Sequence, residues 1–472
     1  MPAREPVSRS RRAVVLATMC VGMFLVLLDV TIVNVALPAI RRGLGADGAG
    51  LEWVVDADTL GFAALMLTAG TLGDRFGRRR LALAGLVVFG VGSAVCALAG
   101  DLGVLLSGRA LQGVGGALLL PQTLAIIADE YPEPGEQARA IGVWAAVSSL
   151  ALPAGPLLGG VLVDRYGWPS VFAINVPVVV AAAVVAVLTV REVPRRRRRR
   201  VDLGGQLLVV VGLAALTGGL VEVNRLGLGA PVVGLVVAGV LALALFVVVE
   251  SRVRDPLLPV PWLRRPAFVG PNAVGLLMNF GGVGMLYLVT LFLQVTQHRS
   301  PLAAGLWLIA FTLPLAAFAP PAGRLAARVG PRVPMTVGMT LAAAGVALFA
   351  ALDRHAGAAL LVPAMALTGT GLALNTAPMV AAVMRALPAS EGAFASGANN
   401  TARQVGAAIG VALLGAVAGD PGGSGFVSGV RVAAIVTAVV WVGAAIVASR
   451  VGRSIEAVPA LSEEPVAGSD AA

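Results

Sequence analysis

Long apolar runs follow one another along almost the whole chain, and only short polar breaks separate them. A helix needs about 20 mostly apolar residues to cross the hydrocarbon core of a bilayer. Because lipid offers no hydrogen-bond partner, a backbone that crosses it must satisfy its own polar groups, and each run therefore predicts a helix. Of the 472 residues, 58% are hydrophobic and only 13% are charged, which is outside the usual range of soluble domains. The chain is therefore predicted to be an all-α integral membrane protein.

The polar breaks divide the chain into about fourteen predicted membrane spans. The spans are 14–39, 51–72, 80–99, 103–128, 138–163, 169–190, 204–223, 230–250, 268–295, 301–322, 333–352, 357–384, 393–419 and 429–449. An even number of spans places both termini on the same side of the membrane. Most loop arginines also fall on that side, and the positive-inside rule predicts that it is cytoplasmic.

An internal repeat indicates how the spans are grouped. The segment Gly323–Arg332 repeats the pattern of Gly70–Arg79, and each segment closes the second span of its half. The repeat predicts two six-helix bundles with two additional helices between them in the chain. The predicted division is 1–13 N-terminal tail, 14–190 first bundle, 191–203 arginine-rich loop, 204–250 additional helices, 251–267 linker, 268–449 second bundle and 450–472 C-terminal tail.

The basic residues argue against two other functions. All 35 of them are arginine, so the chain has no lysine with which a phosphate-binding loop could reach the terminal phosphates of ATP. The six consecutive arginines at 195–200 could bind nucleic acid, but their place in a short loop between spans favours anionic lipid headgroups. No nucleophile, base or metal-ligand cluster is evident either. We expect no enzymatic activity, no bound metal and no nucleic-acid partner.

Ionisable residues inside the spans are candidates for function, because charge in hydrocarbon is costly unless it is paired or meets water. Those we single out are Asp29, Asp56, Asp58, Arg109, Glu222 and Arg403. Proton coupling requires a group that changes its charge, and both histidines fall in predicted loops. Asp29 is then the leading candidate for the proton carrier, with Arg109 as its electrostatic partner. The alternative is that these two residues form a fixed structural ion pair.

Asp56 and Asp58 are two residues apart, roughly 200° around a helix. They cannot both face one cavity, so at most one is expected in a substrate path, and the other is expected to meet water or headgroups at the outer rim. Glu222 is a candidate for coupling as well, although its position near the end of its span is also typical of an ordinary helix end.

The repeated loop contains glycines, an acid and arginines next to the membrane. The residues expected to form a conformational latch are Gly70, Asp74, Arg75, Gly77, Arg78 and, in the second copy, Gly323, Gly330 and Arg332. An acid in this position can pair with arginine or with the positive end of a helix. Such a contact could break when the two halves move apart. The alternative is an ordinary charged loop, and the second copy has Ala327 where the first has the acid.

The fifth span contains glycines and prolines that do not suit a plain membrane anchor. Gly155 and Gly159 are four residues apart and allow another backbone to approach closely. Pro153 and Pro156 each remove a backbone hydrogen bond and bend the helix. This span is predicted to pack closely and to act as a hinge between the halves.

Several segments together resemble the major facilitator superfamily, and within it the fourteen-span branch of drug:proton antiporters. They are LDVTIVNVALP (28–38), GTLGDRFGRRR (70–80), SGRALQGVGGA (107–117), AGPLLGG (154–160), FAINVPV (172–178) and SGANNTARQVG (396–406). The resemblance implies that Asp29 and Arg109 take the places of residues that act in proton coupling. It also implies that Gly155, Pro156, Gly159 and Gly160 form the antiporter motif of the fifth span. One departure is Asp58, where similar proteins usually have tyrosine.

The resemblance implies a bacterial inner (plasma) membrane protein that exports amphipathic drugs, antibiotics or natural products in exchange for protons. It would use the proton gradient with no cofactor, and we expect a monomer. The residues expected around the substrate are Asn34, Gln112, Met278, Asn279, Trp307, Phe311, Asn375, Asn400, Arg403 and Gln404. The apolar members of this set could instead face lipid. A dedicated exporter of a narrow metabolite, such as an amino acid or sugar, and a membrane sensor remain as alternatives.

Overall fold

The computed structural model describes residues 9–192, 202–227, 229–253, 260–387 and 392–456. The arginine run 195–200, the outer parts of both predicted tails and the side chain of Asp74 lie outside the described part. Within it, the first seven helices are α1 Arg9–Leu44, α2 Gly48–Phe76, α3 Arg78–Ala97, α4 Leu102–Glu130, α5 Pro134–Tyr166, α6 Ser170–Ala173 and α7 Asn175–Thr189. They are followed by α8 Leu203–Leu226, α9 Ala230–Glu250, α10 Pro266–Leu291, α11 Pro301–Val329, α12 Arg332–Ala347, α13 Ala358–Arg385, α14 Gly392–Ala418 and α15 Phe426–Glu456.

The all-helical membrane architecture predicted from the apolar runs is confirmed. Thirteen helical segments in the described residues are long and apolar enough to cross a membrane. The helix α2, which carries several carboxylates, has 29 residues and is long enough as well. The chain is thus a multi-pass membrane protein. The helix α9 has an apolar face that suits contact with lipid. Its exposed side chains include Val233, Val237, Val240 and Leu241.

The helices form two bundles of six spans each, as the repeat predicts. Helices α1–α7 pack together in the first bundle, where the short α6 and α7 form one interrupted span, and α10–α15 pack together in the second. The additional helix α8 packs against α2 of the first bundle and α14 of the second, and α9 packs mainly against α8. The two bundles meet along α5 with α11 and along α2 with α14.

Polar side chains start several of the helices in the way that their sequence predicts. Asp47, Asp101 and Asp202 each precede a helix and accept a hydrogen bond from a backbone N–H in its first turn, at 2.7–2.9 Å. Ser300 does the same at the start of α11, at 3.2 Å from the nitrogen of Ala303. Each cap satisfies a backbone donor that the helix itself cannot pair.

The two repeated loops have the same construction in the two bundles. Gly77 joins α2 to α3 with a φ of 104°, and Gly330 joins α11 to α12 with a φ of 78°. A side chain disfavours positive φ, so glycine is the residue that permits these tight connections. The repeat in the sequence therefore corresponds to equivalent sharp turns in the two halves.

The bundles are held together at the end of the molecule opposite the described termini, which we call the far end. Three polar contacts join them there. Arg41 pairs with Asp420 at 2.7 Å, Gln294 donates to the carbonyl of Val35 at 2.9 Å, and the backbone nitrogen of Leu302 donates to Asp164 at 3.2 Å. The structure is therefore closed at its far end.

Candidate functional site

A buried ion pair forms the centre of the candidate site. Asp29 of α1 and Arg109 of α4 are 1% and 2% exposed, and the Nη1 of Arg109 donates to Oδ2 of Asp29. These two residues are partners as predicted from the sequence, and the fold brings them into direct contact.

Two neutral side chains hold the other atoms of this pair, and a third holds those two. Gln112 accepts from Nη1 of Arg109 at 2.7 Å and donates to Oδ1 of Asp29 at 2.9 Å. Asn175 of α7 donates to the same Oδ1 at 3.1 Å. The hydroxyl oxygen of Ser93 on α3 accepts from Gln112 at 2.9 Å and from Asn175 at 3.4 Å. Four helices of the first bundle thus fix the position of the Asp29 carboxylate.

Arg109 also reaches a fifth helix, α2. Its Nε donates to the carbonyl of Val54 at 2.9 Å, and its Nη2 lies 3.2 Å from a carboxylate oxygen of Asp58. Its guanidinium carbon is 5.9 Å from the centre of the Phe172 ring, which is within cation–π range. One buried cation therefore faces two carboxylates.

Glycines make this approach of helices possible. A methyl group on Gly113 would overlap the carbonyl oxygen of Asp58, and one on Gly61 would lie 2.8 Å from the carbonyl oxygen of Ala110. Glycine at these positions lets α2 and α4 pack backbone to backbone. The close approach is what brings Asp58 within reach of Arg109.

The charge balance of this site suits the binding of a proton. With both carboxylates ionised, the group of Asp29, Asp58 and Arg109 has a net charge of −1, and one proton makes it neutral. Net charge is costly in a low-dielectric interior. The site can therefore bind a proton, and the protonated form has no net charge.

A second pair of carboxylates lies on the opposite face of α2. Asp56 is 0% exposed and Glu52 is 2% exposed. Three of their carboxylate oxygens have no hydrogen-bond partner among the described residues: both oxygens of Asp56, and Oε2 of Glu52. The carboxylate of Glu52 packs directly against Gly415 of α14, and Tyr287 of α10 interacts electrostatically with both acids. This pair is thus buried at the contact between the two bundles.

The predicted separation of Asp56 from Asp58 is correct, but their expected surroundings are not. The two side chains do face different neighbours, since Asp58 meets Arg109 and Asp56 faces the second bundle. Neither meets water or headgroups at the rim, because both are buried. Packing of α8 and α14 against this part of α2 covers the surface that the sequence alone would assign to the outer rim. Glu222 of α8 is half-buried and interacts electrostatically with Glu52.

The predicted latch residues pack within their own bundles at the end that carries the described termini. Arg78 pairs with Asp129 at 2.7 Å, and the carboxylate of Glu192 accepts from the backbone nitrogens of Arg79 and Arg80 at 3.3 Å. Arg75 is exposed, with its guanidinium carbon 5.2 Å from the centre of the Phe76 ring. The role of Asp74 stays a prediction, because its side chain lies outside the described part.

The remaining latch glycines differ in how closely they are packed. A methyl group on Gly70 would meet no atom within 4 Å, and one on Gly323 would lie 3.6 Å from Ala377. One on Gly77 would lie 2.6 Å from the carboxylate of Glu192. Arg332 is the first residue of α12 and is half-buried.

The glycines of the fifth-span motif pack closely on two sides of α5. Methyl groups on Gly155 and Gly159 would overlap Thr31 and crowd Ile32 of α1. A methyl group on Gly160 would lie 2.6 Å from the Cα of Leu302 on α11. The carbonyl oxygen of Pro156 lies against Gly305 of α11, at a distance that leaves no room for a side chain. The motif therefore places α5 between the first bundle and the second.

The residues expected around a substrate fall into three environments. Gln112 contacts the buried pair of Asp29 and Arg109, and Asn34 donates to the backbone carbonyl of Val30 in its own helix at 2.9 Å. Met278 and Asn375 are buried together in the second bundle, with Nδ2 of Asn375 3.0 Å from the sulfur of Met278. The half-buried members are Asn279, Trp307, Asn400, Arg403 and Gln404.

The surroundings of the two aromatic residues expected around a substrate are defined, while their role stays a prediction. The ring of Trp307 stacks with Arg299, whose guanidinium carbon is 4.6 Å from the ring centre, so Trp307 lies near the far-end loop. Phe311 is 9% exposed and lines an apolar cavity inside the second bundle, with Met285, Leu308 and Met365. Neither the sulfur of Met278 nor the ring of Phe311 faces lipid.

Three polar residues of these clusters were not assigned a role by the sequence analysis. Asn175 lies inside the FAINVPV segment, which marks its helix but does not show which side chain turns inward. Glu52 lies within the predicted span 51–72, and the rule on charges in hydrocarbon should have selected it. Nothing in the sequence marks Ser93 as a site residue, because a single serine in an apolar span is common.

A family model described as the Major Facilitator Superfamily matches residues 19–257 and 272–466. Curated relatives include the multidrug resistance protein Stp of Mycobacterium tuberculosis (strain CDC 1551 / Oshkosh), which is 36% identical over 84% of this chain and 74% of the relative. The tetracenomycin C resistance and export protein of Streptomyces glaucescens is 35% identical over 88% and 77% of the two chains. The puromycin resistance protein pur8 of Streptomyces alboniger is 39% identical over 85% and 81%.

Solved structures of similar fold are more distant in sequence. A bacterial homolog of the human lysosomal transporter Spinster, in an inward-facing and unoccupied conformation, has a TM-score of 0.67 and 19% identity, over 95% of this chain and 98% of that one. A POT family transporter in complex with a thioalcohol-conjugated peptide has a TM-score of 0.70 and 15% identity, over 93% and 96%. At these identities the likeness concerns the fold alone.

Proposed function

Because the chain belongs to the major facilitator superfamily, a family of transporters, we propose that it exports amphipathic antibiotics, drugs or natural products in exchange for protons. The names of the curated relatives support the substrate class, since they describe resistance to or export of several drugs. The observation that carries the proton coupling is the buried group of Asp29, Asp58 and Arg109, which becomes neutral when it binds one proton.

The seam between the bundles supports transport by alternating access. The contacts of α5 with α11 and the three polar contacts of the far end hold the bundles together on one side. Those contacts would break when the far end opens, while the proton site moves as part of the first bundle. The substrate would bind between the bundles and be exposed to each side in turn.

The arginine distribution supports the orientation in a bacterial inner membrane. With the positive side inside, both termini and the repeated loops are cytoplasmic, and the far end faces outward. The described conformation would then be closed to the outside. In this proposal the proton gradient is the energy source, no cofactor is needed, and a single chain is the working unit.

Substrate-induced proton flux in sealed proteoliposomes tests this function. The wild type, Asp29→Asn and the control Asp353→Asn would be compared against a panel of amphipathic antibiotics and dyes. Asp353 is a suitable control because it is an exposed carboxylate in a loop. We expect flux with some compounds in the wild type and the control, and its loss in Asp29→Asn, because the amide cannot exchange the proton.

The other outcomes discriminate between the alternatives. Flux that is unchanged in Asp29→Asn would contradict the proposed proton site and direct attention to Asp56 and Glu52. Absence of flux with every amphipathic compound would contradict drug antiport and favour a narrow metabolite exporter or a sensor.

A further inference from the structure

Arg403 lies in the middle of α14 and points into the second bundle. Its Cγ lies 3.3 Å from the position that a methyl group on Gly275 of α10 would occupy, and the amide nitrogen of Asn399 is at the same distance from that point. The absence of a side chain at Gly275 thus makes room for the arginine beside α10. Eleven residues separate Arg403 from the start of α14, which corresponds to about 16 Å of helix and a position deep in the membrane.

The guanidinium group of Arg403 has no protein partner among the described residues. Its Nε is buried without a hydrogen bond, and none of its other nitrogens makes a hydrogen bond or an ion pair there. The residue as a whole is half-buried, so the end of its side chain remains accessible. Arg109, by comparison, bonds to two carboxylates, an amide and a backbone carbonyl.

Among the described side chains of the second bundle, none supplies a counter-ion for this charge. The sequences of α10, α11, α12, α13 and α14 contain no aspartate or glutamate at all. The carboxylates within the predicted spans lie in α1, α2, α8 and α9. An arginine in the hydrocarbon region without a partner costs several kcal/mol, and such residues face water-filled paths or bind a ligand.

Neighbouring amides could complete an anion site around this arginine. Asn399 is 1% exposed, and its amide nitrogen, which donates to Asn272 at 3.2 Å, lies on the same side of Gly275 as the arginine; its carbonyl oxygen is an acceptor and takes no part in binding an anion. Gln404 and Asn400 are half-buried beside it on α14. A guanidinium donates two parallel hydrogen bonds to a carboxylate, which gives both energy and orientation.

We infer that Arg403 binds an ionised acid group of the exported compound, so that amphipathic acids and zwitterions are preferred substrates. This inference rests on the proposed function and adds the substrate class to it. Protons and substrate would then bind to different bundles: the carboxylates of the first bundle take up the proton, and the arginine of the second receives the acid group. Alternating access moves the two bundles against each other and thereby links the two events.

A matched pair of dyes tests the inference. Rhodamine B carries a free carboxylate, and its ethyl ester lacks that negative charge and carries one added ethyl group on the same dye skeleton. Dye-driven proton flux would be measured in proteoliposomes for the wild type, Arg403→Gln, Arg403→Lys and the control Arg385→Gln, whose arginine is exposed at the end of α13. The apparent KM for each dye is the readout, and the ester reports whether each variant is folded and active.

We expect Arg403→Gln to raise the KM for rhodamine B by about tenfold or more while the KM for the ester stays unchanged. Arg403→Lys keeps the charge but not the two parallel donors, so we expect an intermediate value. Arg385→Gln should match the wild type with both dyes. Equal changes for the two dyes in Arg403→Gln, or no change for either, would overturn the inference.

Two further arms separate this inference from other causes. Equilibrium binding of rhodamine B to purified protein, read by fluorescence polarisation, tests the acid site even if no dye drives proton flux and the proposed antiport fails. The flux assay would also be run in phosphatidylcholine liposomes with and without phosphatidylglycerol. If the anionic lipid abolishes the preference for rhodamine B, the guanidinium holds a lipid phosphate and the inference is wrong.

Discussion

Ser93 shows how a small neutral residue can control the geometry of a charged site. It is 0% exposed, and its hydroxyl oxygen accepts hydrogen bonds from the amides of Gln112 and Asn175. Both of those amides also donate to the Asp29 carboxylate. The serine therefore sets the position of the groups that hold the proposed proton carrier, although it does not touch the carrier itself.

Replacing Ser93 with alanine should destabilise the protein and disturb proton exchange. Two buried amide donors would lose an acceptor, and an unsatisfied buried donor costs about 1–3 kcal/mol. We expect a lower Tm in detergent and a shifted pH profile of substrate-driven proton flux. The control is Ser107→Ala on α4, because Ser107 is exposed and bonds only to the carbonyl of Gly103. Equal Tm values and pH profiles in the two variants would contradict a positioning role for Ser93.

At the scale of elements, α5 and α11 form the tightest described contact between the bundles. The carbonyl of Pro156 faces Gly305, and Leu302 faces Gly160. The contact requires glycine at positions 160 and 305, because backbone atoms of the opposite helix occupy the place where a Cβ atom would lie. A side chain at either glycine can be accommodated only if one helix moves away from the other.

Gly305→Ala should therefore weaken closure of the far end. Its methyl group would overlap a backbone carbonyl, which cannot rotate away as a side chain would. Gly443→Ala on α15 is the control, since its methyl group would meet no atom within 4 Å. Spin labels at the exposed positions Arg42 and Ser424 would report the far-end distance. We expect a longer distance in Gly305→Ala only; an unchanged distribution would show that the helices accommodate the methyl group.

For the whole molecule, the ion pair of Arg41 with Asp420 connects the far ends of the two bundles outside the membrane spans. The backbone N–H of Gly422 and the Arg41 guanidinium both stabilise the Asp420 carboxylate, and they lower its pKa below the usual 3.8. A lowered carboxyl pKa contributes stability at pH values above the unpaired pKa. That contribution is lost as the pH falls through the lowered pKa.

Acidification should consequently loosen the far end, and Asp420→Asn should reproduce the acidic behaviour at neutral pH. The effect will be small, below about 1 kcal/mol, because the Asp420 side chain is 62% exposed and surface pairs are weak. The same labels at Arg42 and Ser424 would be measured from neutral pH to below the usual aspartate pKa. The wild type and Asp420→Asn should differ at neutral pH and converge in acid. A constant difference across this range would mean that Asp420 does not control the distance.

The local pattern of the sequence was sufficient for the architecture and for part of the site. Apolar runs predicted the spans, the repeat predicted the two bundles, and the cost of charge in lipid selected Asp29 and Arg109. The same rule should have selected Glu52, which was overlooked. The expected place of Asp56 or Asp58 at the rim was wrong, since the covering helix α14 lies more than 300 residues away in the chain.

By itself, the sequence determined that this chain enters a membrane as helices, and it identified Asp29 and Arg109 as charges inside the spans. These properties are local, because a run of apolar residues meets lipid in the same way whatever its neighbours are. Only the tertiary structure decided which carboxylate meets Arg109, which pair is buried at the seam, and that Arg403 has no partner among the residues that the structure describes. Those outcomes depend on the rotation and depth of each helix against helices distant in the chain, and a residue's type does not contain that information.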